Sequence, residues 1–158
     1  MKIQEILKAV AAIVIAQSAG LIGSLFTMSA IDGWYRTINK PSFNPPDFVF
    51  GPVWTTLYAM MGIASYLIWR KGIRRPEVRL ALILYAGQLV LNAWWSIVFF
   101  GFQSPEGALI VIVALWLMIV ATIVAFARVL ALAAWLLVPY LLWCSFAAYL
   151  NYSIWLLN

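Results

Sequence analysis

The sequence predicts an all-α membrane protein, a bundle of five transmembrane helices that forms one domain over residues 1–158. Of its 158 residues, 66% are hydrophobic and only 9% are charged. Soluble domains contain about 25% charged residues and about 45–50% apolar ones, and a soluble core of this size cannot bury so much apolar surface. Five long uncharged runs follow one another along the chain. Lipid is therefore the expected solvent for most of it.

Each run is long enough to cross a bilayer as a helix, because about 20 apolar residues span about 30 Å of hydrocarbon. Strands are not expected, since membrane-spanning strands alternate in segments of about 10 residues. The last run contains Pro139, which predicts a kink rather than a break. The predicted spans are approximately residues 9–31, 46–69, 80–102, 106–127 and 130–155.

The cations are divided unequally between the two ends of the predicted spans. One side would carry Lys2, Lys8, Arg70, Lys71, Arg74, Arg75, Arg79 and Arg128. The other side would carry Arg36 and Lys40. Because cytoplasmic loops hold the excess of Lys and Arg, we expect a cytoplasmic N-terminus. The basic residues follow the helix ends, so the net charge of +5 does not indicate nucleic acid as a partner.

Catalytic and metal-ligating side chains are scarce. The uncharged runs, residues 9–31, 48–69, 80–102, 107–127 and 129–158, contain no Asp, Glu, Lys or Arg, and the chain has no His. Ion-coupled transporters usually keep an ionisable group inside the bundle, so this class is disfavoured. The single cysteine, Cys144, has no neighbouring cation to favour its thiolate and is predicted to be a small buried residue. No metal site is expected.

Three runs place aromatic and polar side chains on one helical face. The stripe in the second run is Trp54, Tyr58, Met61 and Ser65. The stripe in the third run is Gln88, Asn92, Trp95, Ser96 and Phe99. The stripe in the fifth run is Pro139, Trp143, Ala147 and Asn151. An amide that faces lipid is costly, so the third-run face should point into the bundle, where it either bonds neighbouring helices or lines a cavity. A cavity with aromatic walls suits a flat, apolar ligand.

The connector over residues 32–46 is richer in rings and prolines than a simple link between two helices requires. Its prolines restrict the backbone, and Asn44 is predicted to cap the second helix with Pro45 at the first helical position. The rings either fold over the open end of the bundle as a lid or anchor the connector at the membrane interface. The predicted lid residues are Trp34, Arg36, Lys40 and Phe43.

Together these segments resemble the TspO family, also called the translocator protein or peripheral-type benzodiazepine receptor family. The resemblance covers the whole chain and rests on WYRTINKPSFNPP followed by VFGPVWTTLY, on LVLNAWWSIVFFG and on WLLVPYLLWCSFAAYLN. It implies a homodimeric five-helix membrane protein that binds porphyrins and, in eukaryotic members, cholesterol and benzodiazepine-type ligands. By position it implies a ligand-binding site of Tyr35, Trp54, Tyr58, Asn92, Trp95, Ser96, Phe99, Trp143 and Ala147.

The resemblance leaves three functions open. The first is tetrapyrrole binding, for sensing or transport of protoporphyrin IX or haem. The second is light-dependent porphyrin degradation, for which Trp54 and Trp143 are the catalytic candidates because they match the tryptophans that the family links to it. The third is sterol or lipid transport, although Tyr152 is not followed by the basic residue that the family's sterol element needs.

Two residues depart from the pattern of some members, since Tyr58 and Phe99 stand where those have Phe and Gln. The porphyrin would be the ligand, and no further cofactor is required. The lack of His favours a metal-free porphyrin or a loosely held haem over an axially ligated haem. Arg36 or Lys40 would then pair with the porphyrin carboxylates.

Overall fold

A computed structural model describes residues 2–158 of the chain. Five segments in this part are helices long and apolar enough to span a membrane, which confirms the predicted fold class. The helices are α1 (Ile3–Ile31), α2 (Trp34–Thr37), α3 (Asp47–Trp69), α4 (Pro76–Ser96), α5 (Pro105–Val129), α6 (Ala131–Leu136) and α7 (Val138–Leu157). A π-helical turn, Ile97–Gly101, continues α4, and α6 and α7 together make the fifth span.

The first helix begins well before the span predicted from residue 9, because its charged residues are paired on the helix surface. Glu5 forms an ion pair with Lys8 at 3.0 Å. The Tyr66 hydroxyl of α3 donates a second hydrogen bond to Glu5 at 3.2 Å. The uncharged run predicts only the part of the helix that lies in lipid. The helix itself extends farther, because charged side chains at its end form pairs on its surface.

The prediction that Asn44 caps the second span is wrong. Helix α3 begins at Asp47 after Pro46, and no side chain caps it. The Asn44 carboxamide has other partners: its Oδ1 accepts from the Tyr35 hydroxyl at 3.2 Å, and its Nδ2 donates to the Pro45 carbonyl at 3.1 Å. The side chain therefore fastens the connector instead of the helix end.

The fifth span is interrupted at Leu137. The sequence predicts instead a continuous helix with a kink at Pro139. Leu137 has φ −89° and ψ −11°, and its N–H bonds to the Ala134 carbonyl at 3.0 Å. This tight turn ends α6 and leaves Pro139 in the first turn of α7. A proline is tolerated there because the N–H that it lacks has no helical partner.

The spans form a ring in which α1 packs on α3 and α4, α5 packs on α4 and α7, and α6 packs on α3. In one half of the ring, around the N-terminal half of α1, the side chains of Ala16, Met61 and Ala64 pack with no exposed surface. We call this the closed half of the bundle. The other half, around residues 20–31 of α1 and 47–58 of α3, we call the open half.

Candidate functional site

The open half contains a cavity of about 800 Å³. This volume lies within the range of about 300–1,000 Å³ that is usual for ligand pockets. Its walls come from α1, α3, the end of α4 with the π-helical turn, and α7, while the connector contributes one side chain. All the residues predicted to bind ligand line it, namely Tyr35, Trp54, Tyr58, Asn92, Trp95, Ser96, Phe99, Trp143 and Ala147.

The aromatic walls are built from rings that pack on one another. Trp54 stacks on Tyr58 with ring centroids 5.5 Å apart, and Trp95 stacks on Phe99 at 5.2 Å. Trp143 packs edge-on against Phe50 at 6.0 Å. Since each ring is held by a neighbour, the walls of the cavity are largely formed before a ligand arrives.

A buried hydrogen-bond network joins the cavity wall to the closed half. The Tyr58 hydroxyl donates to Asn92 Oδ1, and Asn92 Nδ2 donates to the Tyr140 hydroxyl at 2.9 Å. The Tyr140 hydroxyl in turn donates to Gln88 Oε1 at 2.7 Å. Asn92 therefore has both roles considered for the third-run amides. It joins α4 to α3 and α7 by hydrogen bonds, and it lines the cavity. Gln88 serves only as an inter-helix bond.

The π-helical turn places two adjacent phenylalanines on the same wall. The Phe102 N–H bonds to the Ile97 carbonyl at 2.9 Å, one residue farther than in an α-helix. As a result both Phe99 and Phe100 line the cavity. The face predicted from the sequence included Phe99 but not Phe100.

The Trp95 indole anchors this wall to two other helices. Its Nε1 donates to Asn151 Oδ1 on α7 at 3.0 Å, and Asn151 Nδ2 donates to the Pro105 carbonyl at 2.7 Å. The other inward indole, Trp143, differs: its buried Nε1 has no hydrogen-bond partner among residues 2–158. The Trp143 ring lines the cavity, but this nitrogen is enclosed by protein, as are the unpartnered Tyr85 hydroxyl and Gln88 Nε2.

Tyr35 is the connector residue that closes the cavity. Its side chain is 5% exposed and packs against Phe99 and Phe100, with ring centroids at 6.4 Å and 5.6 Å. Burial raises the pKa of the Tyr35 phenol, so the hydroxyl stays protonated at neutral pH and donates to Asn44. Tyr35 is thus part of the cavity wall, and the role of the connector as a lid stays a prediction.

The four predicted lid residues, Trp34, Arg36, Lys40 and Phe43, do not line the cavity. Trp34 packs edge-on against Phe99 at 5.7 Å, and Phe43 stacks on Tyr149 of α7 at 5.2 Å. Arg36 forms an exposed ion pair with Asp32 at 2.7 Å. Lys40 lies over the Tyr35 ring, with Nζ 4.6 Å from the centroid.

The pairing of these cations with a porphyrin carboxylate stays a prediction. Neither Arg36 nor Lys40 lines the cavity. Among the lining residues in the described part of the chain, Asp47 is the single charged one.

One wall of the cavity was missed by the sequence analysis, namely the C-terminal half of α1. Side chains added at Gly20 and Gly23 would meet the Tyr58 ring and Ser96 Oγ respectively. The signal was present, because Ala16, Gly20, Gly23 and Thr27 follow the same i, i+4, i+7, i+11 spacing as the aromatic stripes. Small residues at helix interfaces in membranes let large neighbours approach closely.

Groups able to hold a metal are not found in the described chain: residues 2–158 contain no cluster of three or more His, Cys, Asp or Glu side chains. Cys144 is free and fully buried, as its apolar surroundings in the sequence predicted.

Comparison with known proteins identifies the family. The chain matches the TspO/MBR family over residues 11–156. It is 48% identical to the tryptophan-rich protein TspO of Chlorobaculum tepidum over 98% of both chains. It is also 43% identical to the human translocator protein, over 89% of this chain and 85% of that one. The tryptophan-rich sensory protein of Cereibacter sphaeroides is 40% identical over 80% of this chain and 78% of its own. The resemblance is thereby confirmed: this chain is a multi-pass membrane protein that belongs to the TspO/MBR family.

Proposed function

We propose that this protein binds a tetrapyrrole such as protoporphyrin IX within the membrane, in the cavity of the open half. The observation that carries the proposal is the cavity of about 800 Å³ with stacked aromatic walls. A flat conjugated ligand gains about 0.5–1.5 kcal/mol from each good ring contact beyond burial. A few such contacts, added to the burial of apolar surface, supply the roughly −8 kcal/mol that micromolar affinity requires.

The aromatic lining of the cavity supports the same ligand class. Protoporphyrin carries ring nitrogens and carboxylates that accept hydrogen bonds, as well as a large flat face. A sterol has one hydroxyl and no conjugated face, so it gains less from these walls. For this reason, and because residues 153–158 contain no Lys or Arg, sterol or lipid transport is the second candidate.

A titration of the protein in nanodiscs with protoporphyrin IX, followed by porphyrin absorbance, tests the proposal. The variant Trp143→Phe should bind about three- to tenfold more weakly, since it loses part of the aromatic surface in the cavity wall. Trp135→Phe is the matched control, because Trp135 is 70% exposed and does not line the cavity. Equal affinities in both variants, or full displacement of porphyrin by a sterol at lower concentration, would refute the assignment.

We also propose that any porphyrin degradation depends on the two indoles that share the cavity, Trp54 and Trp143. The lining residues include neither a nucleophile paired with a base nor an acid–base pair, so light and dioxygen would drive the chemistry. Illumination of the loaded protein should then give a new absorbance spectrum that is lost in Trp54→Phe and Trp143→Phe. If the product forms equally fast in both variants, the indoles take no part.

Two features of the whole molecule are also proposals: a cytoplasmic N-terminus, from the cation bias, and a homodimer, from the family resemblance. Labelling of Lys71→Cys and Asn39→Cys from opposite sides of sealed vesicles tests the orientation. Light scattering of the detergent-solubilised protein tests the dimer.

A further inference from the structure

The connector is fastened to the C-terminal end of α7 by three hydrogen bonds. The Asn39 N–H donates to Asn158 Oδ1 at 2.9 Å, and Asn158 Nδ2 donates back to the Asn39 carbonyl at 2.9 Å. Asn39 Nδ2 donates to the Leu157 carbonyl at 3.2 Å. One carboxamide thus pairs with both backbone groups of one connector residue, in the way that neighbouring strands pair.

These bonds complete a bridge across the cavity. At its beginning the connector rests on the π-helical turn through Tyr35, which packs on Phe99 and Phe100. Farther along it rests on α7 through Phe43, which stacks on Tyr149. The π-helical turn and α7 are two of the cavity walls. The connector therefore cannot swing away from the cavity without breaking its bonds to Asn158.

The fastening is weaker than the rest of the closure. All three hydrogen bonds lie at the exposed surface, where water competes for the same groups, whereas Tyr35 is buried. Segments that open to admit a ligand come from the least stable parts of a fold. An exposed pairing that breaks readily and re-forms with defined geometry suits a closure of this kind.

We infer that Asn158 is a latch: a positioning residue that holds the connector shut over the cavity and sets the rate at which a bound ligand leaves. For the ligand the inference rests on the proposed tetrapyrrole function, but the closure itself belongs to the protein alone. The competing role is helix capping, because Asn158 Nδ2 also donates to the Ile154 carbonyl at 2.8 Å.

Hydrogen exchange of the ligand-free protein tests the latch first. In Asn158→Ala, the amides of residues 32–46 should exchange on the order of tenfold faster, because two paired bonds to the backbone of Asn39 are lost. Ser153→Ala is the matched control, since the Ser153 hydroxyl bonds only to the Tyr149 carbonyl within α7. Unchanged exchange in Asn158→Ala overturns the inference.

A second variant separates the latch from the cap. Asn39→Ala removes the bond to the Leu157 carbonyl and leaves the bond from Asn158 to Ile154 untouched. The latch requires faster exchange of the connector here too, by a smaller factor of roughly three. If only Asn158→Ala accelerates exchange, and the change is confined to the last turn of α7, Asn158 is a cap and the inference fails.

The release rate of protoporphyrin IX, measured by transfer to an acceptor in stopped flow, gives the final test. Asn158→Ala should release it on the order of tenfold faster. The disulfide of Asn39→Cys with Asn158→Cys should slow release, and reduction should restore it, with the buried Cys144 taking no part.

The two proposals fail in different ways. Release that is equal in the oxidised double variant, in Asn158→Ala and in the unaltered protein overturns the latch and leaves tetrapyrrole binding in place. If the unaltered protein does not bind protoporphyrin, the proposed function fails, and the exchange experiment alone supports or overturns the latch.

Discussion

The two halves of the α1–α3 pair use the same residue type for opposite purposes. In the closed half, a Cβ at Gly62 would lie 2.6 Å from the Ile13 Cα, so this glycine lets two backbones touch. In the open half, a Cβ at Gly20 would overlap the Tyr58 ring. There the glycine leaves room for an aromatic side chain, and rings rather than backbones set the helix spacing. The cavity follows from that difference.

The boundary between the halves is the buried network of Tyr58, Asn92, Tyr140 and Gln88. Buried polar groups are costly in a low-dielectric interior unless they are paired, so the bonds among these side chains fix how closely α3, α4 and α7 approach one another. On one side of the network side chains such as Ala64, Ile68 and Phe126 fill the interior, and on the other side stacked rings form the walls of the cavity.

The largest effect is expected where two backbones meet. Gly62→Ala places a methyl group against the α1 backbone, which cannot move aside as a side chain would, so the helices must separate. We expect a loss of about 1–3 kcal/mol in the free energy of unfolding, as for other overpacked cores. Denaturant unfolding in mild detergent measures it.

Gly51→Ala on the same helix is the control, because no atom lies within 4 Å of its added methyl group. Equal stabilities for the two variants would show that the closed half is not held by backbone contact.

The second effect concerns the boundary. Asn92→Leu keeps the volume of the side chain but leaves the Tyr58 and Tyr140 hydroxyls without their amide partner. A buried polar group that loses its partner costs about 1–3 kcal/mol in soluble proteins, and inter-helix hydrogen bonds in membranes average about 0.6 kcal/mol. We therefore expect a loss of about 1–2 kcal/mol, together with weaker ligand binding.

Leu91→Ile on the same helix, outside the network and the cavity lining, controls for a change of apolar shape. If Asn92→Leu proves as stable as Leu91→Ile, the boundary is set by packing alone.

The sequence predicts the apolar part of this arrangement better than the polar and backbone parts. Long uncharged runs fix the five spans because lipid excludes charge over a known thickness, and helical periodicity brings Trp54, Asn92 and Trp143 to one interior. The π-helical turn and the break at Leu137 depend on local hydrogen-bond choices that periodicity does not contain.

Pairings that join distant parts of the chain were beyond sequence reasoning for a different reason. Asn39 and Asn158 are brought together only once the helices have packed. The immediate neighbours of Asn44 predict a helix cap, but in the folded chain its side chain accepts a hydrogen bond from the Tyr35 hydroxyl. The C-terminal half of α1 was missed for the same reason. Its small residues form a cavity wall only because α3 and α4 place Tyr58 and Ser96 opposite them.

The third effect should appear in binding rather than in stability. Gly20→Ala pushes against the Tyr58 ring rather than against a backbone, so a side chain that lines the cavity has to shift. We expect porphyrin affinity to fall about threefold to tenfold, equivalent to about 0.7–1.4 kcal/mol.

A double-mutant cycle with Tyr58→Leu isolates this contact. Once the ring is gone, adding the methyl group at Gly20 should no longer change affinity. A persistent loss in the double variant would mean that the methyl group acts on α1 itself and that the open half is not spaced by rings.

The smallest effect tests whether every glycine in these helices marks a close contact. At Gly87 in α4 the nearest atoms to an added Cβ are Met118 Cε and Sδ, at 3.7 Å and 3.8 Å, which is ordinary contact with a flexible side chain. Gly87→Ala should therefore gain up to about 1 kcal/mol in the unfolding free energy, because alanine is the better helix former. A loss as large as that of Gly62→Ala would require another backbone against this face. Since none of α1–α7 supplies one within 4 Å, that backbone would belong to a second copy of the chain, and dilution of the detergent-solubilised protein would then weaken the effect.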